Sequence, residues 1–352
     1  MGAAVYDIAS LDDAWWSEIF ATPVTAGEPT RIGDGLVGMN LRYRLRGEGV
    51  PGSVVVKLAS EDATSRSTGI SLGNYEREVK FYLEIAGTVD VRAPRCHFAD
   101  RHAAAGDFVI VLEDMAPAEQ GNQITGCSID HARIAVAELA RLHGPRWNDP
   151  SLWDVDWLQR RSETDGAAQL KFIYQMVKPG FLATFGASLR EAAGDAGPAL
   201  IDELEQSLDG FIAAKDEPFT VTHGDYRLDN MLFASGTGGV PCAVVDWQTP
   251  GHGNGIVDLA YFIGAGLLPQ ERRRHEWDLV DLYIDGVEAY GHRLDRDWVR
   301  THYRREALSG VVMAVVASQI VQRTDRGDQM FTAMATRHAL QALDHDSIAL
   351  CR

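Results

Sequence analysis

Residues 223–230 read HGDYRLDN, and sixteen residues beyond Asn230 stands Asp246, in the stretch AVVDWQ at residues 243–248. The run before Asp246 is short and apolar, as at the end of a buried strand. Moving a phosphoryl group onto a hydroxyl needs a carboxylate to orient and deprotonate the attacking oxygen. It also needs oxygen ligands that hold magnesium against the phosphates. Asp225 suits the base, and Asn230 and Asp246 suit the metal. A plain turn-and-cap role for His223 and Asp225 is the competing reading, and the companion Asp246 tells against it.

Toward the N-terminus, residues 32–45 read IGDGLVGMNLRYRL and contain Gly33, Gly35 and Gly38 in G-x-G-x-x-G spacing. That spacing also serves dinucleotide-binding folds, where a helix follows it. Here Met39, Leu41, Tyr43 and Leu45 alternate with Asn40, Arg42, Arg44 and Arg46. The period of two predicts a strand, so the glycines belong to a hairpin tip whose backbone can close over phosphates. An ordinary glycine-rich turn is the alternative. Beyond the turn at 47–53, Lys57 ends the strand run VVVK, and a helix is predicted over Asn74–Glu84. A strand lysine beneath a glycine loop can pair with α- and β-phosphates while a helix glutamate holds its ammonium group. Tyr75, Glu78 and Tyr82 share one helix face, which favours Glu78 over Glu76.

Residues 107–112 (DFVIVL) read as a buried strand that opens into Glu113, Asp114 and Met115. Helical patterns then take over. Ser128 caps a helix with Ile134, Ala135, Leu139 and Leu142 on one face, ended by His143, Gly144 and Pro145. Ile201, Leu204, Leu208, Phe211 and Ile212 mark another helix. Residues 230–233 and 241–246 form a hairpin, and the chain from Asp258 onward is mostly helical. The expectation is a bilobal α+β fold. A small antiparallel β-rich lobe, residues 1–113, would bind nucleotide, and a larger, mostly helical lobe, residues 114–352, would carry catalysis and substrate. Asp258, in GIVDLAYF, is expected to accept hydrogen bonds that fix the catalytic loop. Trp147, Trp153 and Trp157 are either a wall of the substrate cleft or, more commonly for such spacing, core.

Composition narrows the class. The hydrophobic fraction of 45% and charged fraction of 24% are those of an ordinary globular chain. The formal charge of −17 argues against nucleic acid as a partner. It belongs either to a solvated surface or, in part, to a cleft that attracts a cationic substrate. No stretch approaches the roughly 18 apolar residues of a spanning helix, and residues 1–10 lack a basic region before an apolar one. Cys96, Cys127, Cys242 and Cys351 show no CxxC spacing, which fits a reducing cytoplasm and neither a zinc site nor a disulfide framework.

Together the glycine loop, VVVK, YEREVKFY (75–82), FVIVLEDM (108–115), ELARLHGPRW (138–147), HGDYRLDN and VVDWQ resemble the superfamily of aminoglycoside phosphotransferases, choline kinases and ecdysteroid-kinase-like proteins. The match runs from Ile32 to Phe262. YEREVKFY and VLEDM look most like the ecdysteroid-kinase-like branch, whose helix glutamate precedes Phe-Tyr by three residues, as Glu78 does. The resemblance implies a protein-kinase-like fold and ATP with Mg2+ as cofactors. It further implies an adenine ring received by backbone near Glu113 and Met115, an acceptor site shaped by residues 147–200, and a small-molecule hydroxyl as acceptor. VVDWQ departs from the DFG of protein kinases. Only eleven residues separate Asp246 from Asp258, too few for an activation segment. The alternative in another class is a nucleotide-binding pseudokinase or sensor without turnover. Oligomeric state is not readable from these features.

Overall fold

The alternation at residues 38–46 produces the strand around which the N-terminal half is organised. The computed structural model describes residues 6–33, 38–160, 164–213 and 218–352. Its first elements are α1 (Asp13–Phe20), β1 (Thr25–Ala26), β2 (Thr30–Ile32), β3 (Gly38–Arg46) and β4 (Ser53–Ala59). They are followed by α2 (Ala63–Ser71), α3 (Asn74–Lys80), β5 (Cys96–His102) and β6 (Asp107–Glu113). The strands lie in the order β1-β3-β4-β6-β5, all antiparallel, and β2 also pairs with β3. Ile32 stands opposite Asn40, so the glycine motif is flanked by a hairpin and not by a strand-to-helix crossover. Gly35 itself lies outside the described residues.

Burial explains the β6 run. Val109 and Val111 face a cluster with Trp16, Tyr43, Val54, Val56 and Leu58. Phe108, Ile110 and Leu112 face the main core with Tyr75, Phe81 and Leu139. A strand with a core on both faces has no polar side to show. The outer cluster is closed by α1, whose N-cap Asp12 accepts the Trp15 N–H and whose Trp16 is fully buried.

The helix predicted to run from Asn74 to Glu84 is α-helical only to Lys80, and a π-turn spans Phe81–Ile85. The wider turn places Phe81, Tyr82 and Ile85 together in the core, so tertiary packing overrides the 3.6-residue period there.

Beyond β6 come β7 (Glu119–Gln120), α4 (Ile129–His143), β8 (Gln159–Arg160), α5 (Thr164–Ala193), α6 (Ala196–Ala213) and β9 (Thr220–Thr222). The chain continues through β10 (Met231–Ser235), β11 (Gly238–Val244), β12 (Gly251–Gly253), α7 (Ile256–Gly266), α8 (Pro269–Glu288), α9 (Arg296–Ile320) and α10 (Asp325–Asp344). Ser128 caps α4 as expected, accepting the His131 N–H. β10 and β11 form the expected hairpin, with Met231 opposite Val244. β12 pairs antiparallel with β9 and parallel with β8. Helices α5, α6, α9 and α10 enclose a second core built on Phe181, Leu204, Leu308 and Met334. Among the described residues no helix is long and apolar enough to cross a membrane. The architecture is the mixed α+β fold expected, an antiparallel sheet at the N-terminal end and a helical C-terminal part.

Trp16→Ala is expected to cost about 3–5 kcal/mol of unfolding free energy through the cavity left under the sheet. Denaturant unfolding should show a lower midpoint at similar slope, and a loss below about 1 kcal/mol would contradict this packing.

Candidate active site

Lys57 lies near the end of β4, where the sheet meets α3. Its Nζ donates to Glu78 on α3 at 2.7 Å and to Asp246, just past β11, at 2.5 Å. Three segments far apart in sequence thus meet at one ammonium group. Glu78 and Lys57 are buried, whereas the Asp246 side chain keeps 27% of its surface open. Glu76, the other candidate, pairs instead with Lys80 and Arg101. A Cβ at Gly38 would lie 3.2 Å from the Leu58 carbonyl oxygen and 3.4 Å from Lys57 Cε, so the hairpin strand passes close over β4 at the lysine.

One cation between two carboxylates sets the local electrostatics. Burial would push the Lys57 pKa down, but the charges of Asp246 and Glu78 outweigh it and the net direction is up. Burial pushes the Glu78 carboxyl up, against the pull of Lys57 and with the help of the Asp246 charge. For Asp246 the burial effect is overcome by Lys57, and the direction is down. Asp246 is also held at a left-handed φ of 67°, a conformation that aspartate tolerates better than most residues. Gln248 Nε2 donates to its second oxygen at 3.2 Å.

The HGDYRLDN loop is fixed from beneath by Asp258 at the start of α7. Its buried carboxylate accepts the backbone N–H groups of His223 at 2.6 Å and Gly224 at 3.1 Å. This is the supporting role expected of Asp258. Gly224 has φ 81°, and a Cβ there would stand 2.3 Å from the Thr249 carbonyl oxygen, so only glycine fits. His223 Nε2 bonds the Val245 carbonyl at 3.0 Å, and its Nδ1 accepts the Asp225 N–H at 3.2 Å. The His223 ring lies against Trp247, which stacks on Phe81 with centroids 3.9 Å apart at 5°. Arg77 on α3 donates to the Gln248 carbonyl at 3.2 Å. The residues flanking Asp246 are therefore anchored both to the HGDYRLDN loop and to the helix that carries Glu78.

Asp225 and Asn230 meet directly. Asn230 Nδ2 donates to the Asp225 carbonyl and to its Oδ2, both at 2.9 Å. With the amide NH2 group so engaged, Asn230 Oδ1 is the atom left for a cation. The Val245 N–H donates to the Asn230 carbonyl at 2.9 Å and ties the loop to the strand that leads to Asp246. An amide oxygen and a carboxylate form an all-oxygen donor pair, which fits a hard divalent cation that takes its other ligands from phosphates and water.

Several groups around the loop were not anticipated from the sequence. Arg227 Nε lies 3.1 and 3.0 Å from the two Asp225 oxygens, and its Nη1 donates to Asp229 at 2.8 Å. Tyr261 donates its hydroxyl to Asp225 Oδ1 at 3.1 Å. His143, the last residue of α4, bonds Tyr283 through Nδ1 at 2.8 Å, while its Nε2 stands 3.5 Å from Asp258. Arg227 sits inside the motif and Tyr261 three residues past Asp258, so motif position and helical spacing were the available signals.

The linker residues are placed at the end of the sheet. The Glu113 side chain receives Arg92 and the Arg95 N–H, and the Glu113 N–H donates to the Arg95 carbonyl. Met115 is buried and its carbonyl accepts the Ala118 N–H. The three tryptophans do not make one wall. Trp147 joins the core, Trp153 is exposed against Phe219 and His252, and Trp157 donates to Glu84.

Comparison with known proteins follows this geometry. The sequence model of the ecdysteroid kinase-like family matches residues 39–295, well over half of the chain. No curated protein matches the chain in sequence. Among solved structures, choline kinase from Cryptosporidium parvum superposes with a TM-score of 0.54 at 12% identity, covering 91% of this chain and 88% of its own. A spectinomycin phosphotransferase in complex with ADP and spectinomycin gives 0.54 at 13% identity, with coverages of 95% and 98%. A choline kinase from Streptococcus pneumoniae gives 0.51 at 14% identity, with coverages of 94% and 99%. At these identities the likeness speaks to the fold, which is protein-kinase-like.

Burial would raise the Asp258 pKa, but His143, His223 and the accepted N–H outweigh it and the direction is down. Asp258 therefore favours the folded state when ionised. That contribution is complete above the unfolded aspartate value of about 3.9 and drains away as pH falls below it, through the lower folded value. Asp258→Asn is expected to lower the unfolding midpoint at pH 7 and to flatten its decline below about pH 4. Parallel pH curves for the two chains would show that Asp258 does not carry this linkage.

Proposed function

We propose that this chain, which belongs to the ecdysteroid kinase-like family, transfers the γ-phosphoryl group of Mg-ATP to a hydroxyl of a small molecule. The observation that carries the reading is the meeting of Lys57, Glu78 and Asp246 in one buried ion cluster, with Asp225 and Asn230 hydrogen-bonded to each other on the adjoining loop. An isolated motif can arise by chance, but five side chains from four segments in this arrangement serve one chemistry.

In this reading the glycine hairpin with Gly33, Gly35 and Gly38 covers the phosphates, and Lys57 neutralises the non-transferred ones. Glu78 keeps the lysine in place. The adenine ring lies at the Glu113–Met115 linker. There the Glu113 N–H and the Met115 carbonyl are already spent on protein partners, so the Glu113 carbonyl and the Met115 N–H are the atoms that would read it. Asn230 and Asp246 hold magnesium, which when bound screens the charge that builds on the transferred group. Asp225 orients the acceptor hydroxyl in line and takes its proton. The lobe boundary falls after Glu113, with nucleotide recognition largely before it and acceptor recognition beyond it.

A small acceptor is favoured over a protein. The short segment between Asp246 and Asp258 includes β12, which is paired with β9 and β8, and so offers no free loop to dock a polypeptide. The choline kinases and the spectinomycin phosphotransferase of the same fold are small-molecule enzymes by name. All four cysteines are free, which suits a reducing, ATP-rich cytoplasm.

The test is ATP consumption with magnesium against a panel of hydroxylated small molecules, with nucleotide binding followed by calorimetry. Asp225→Asn is expected to lower kcat by about 10² to 10⁴ while the ATP dissociation constant changes little. Unchanged turnover in that variant would overturn the assignment of the base. Tight nucleotide binding with no turnover on a broad panel would favour a sensor, and failure to bind nucleotide would refute the kinase reading.

A further inference from the structure

Resting on the reading of Asp225 as the base, we propose that Tyr261 is its positioning residue, fixing the carboxylate so that an acceptor alcohol can displace Arg227 from it. Asp258 and Tyr261 lie three residues apart on α7, one turn of the same face. Asp258 grips the backbone of the catalytic loop, through His223 and Gly224. Tyr261 grips the side chain, through a hydrogen bond to Asp225 Oδ1. One helix turn therefore sets both where the loop runs and how its carboxylate is turned.

The Tyr261 ring has little freedom to wander. It is buried and lies nearly parallel to His338 of α10, with centroids 5.2 Å apart at 13°. Its hydroxyl is thus presented from a fixed platform, a condition for holding a reacting group to within a fraction of an ångström.

The hydrogen bonds at Asp225 assign separate tasks. An ionised carboxylate offers about four acceptor sites. Tyr261 takes Oδ1 and Asn230 takes Oδ2, while the single Nε–H of Arg227 is divided between both. An incoming alcohol must donate to one of these oxygens. Arg227 is the partner that can be exchanged, because its guanidinium already has other groups to hold it. Arg227 also keeps Asp229 Oδ2 and Met330 Sδ as partners when it releases the base. Tyr261 and Asn230, holding opposite oxygens, preserve the plane of the carboxylate during that exchange.

The experiment uses the full chain as wild type, Tyr261→Phe, Asp225→Asn and the double variant. Mg-ATP is the donor, and the acceptors are water and each alcohol of the panel that is turned over. Phenylalanine keeps the ring for the stack on His338 and removes the hydroxyl that donates to Asp225. Tyr261→Phe is expected to lower kcat about 10- to 100-fold, the range for losing a hydrogen bond to a charged group, with KM and the dissociation constant for ATP within about twofold of wild type. In the Asp225→Asn background the same substitution should cost less than about twofold, because the carboxylate it serves is gone. A kcat within twofold of wild type, or an equal cost in both backgrounds, would overturn the proposal. A wild type that turns over neither water nor an alcohol would instead count against the kinase reading. The positioning claim would then be decided by crystal structures, where an Asp225 carboxylate unmoved in Tyr261→Phe overturns it and a rotated one supports it.

Discussion

A buried ammonium group must find counter-charge, and Lys57 finds both of its carboxylates outside the sheet that carries it. Glu78 comes from α3 and Asp246 from the far end of the β10–β11 hairpin. Removing Lys57 would leave two carboxylates without a counter-charge in a place with little water. The cluster therefore constrains the chain globally: the sheet, the helix beside it and the strand end of the C-terminal part must arrive at one point. Trp247, stacked on Phe81 and met at a tilt by the His223 ring, gives the same junction an apolar half. Charge supplies the register, and stacked rings exclude the water that would weaken it.

The HGDYRLDN loop shows a second economy. Its backbone has no regular partner strand, so its N–H groups need acceptors from elsewhere. Asp258 supplies two, Gln123 Oε1 takes the Leu228 N–H, and Asp229 returns a bond to the Gln123 N–H. Arg337 reaches over from α10 to the Gln123 and Ala265 carbonyls. The loop is irregular in shape yet tied at several steps, which is how a non-repetitive segment can hold its side chains still.

Much of this was legible in the chain because it is local. Asp225 and Asn230 are five residues apart, and their meeting follows from one turn of the loop. Glu78 was separable from Glu76 because a helix presents positions 75, 78 and 82 on one face. Asp258 announced itself as a charged residue inside an apolar helix. What stayed hidden depends on long-range contact between short segments. The three-residue strands β9 and β12 are too brief for a period to declare itself. The π-turn after Lys80 has the same residue types as an α-helix, and only the packing of Phe81 on Trp247 distinguishes the two. Three tryptophans near position 150 read as core more readily than as a cleft wall; Trp147 joins the core, while Trp153 and Trp157 are claimed by other neighbours. Spacing reports which side of a helix a residue occupies and says nothing of what lies opposite.

The tether of β12 to β9 and β8 bears on how such a protein can be controlled. Many phosphotransfer enzymes hold a long mobile segment at this point, and a cell alters their output by modifying it. Here the eleven residues between Asp246 and Asp258 include a three-residue strand with neighbours on both edges. A strand paired on both edges gives the chain just past Asp246 a fixed course.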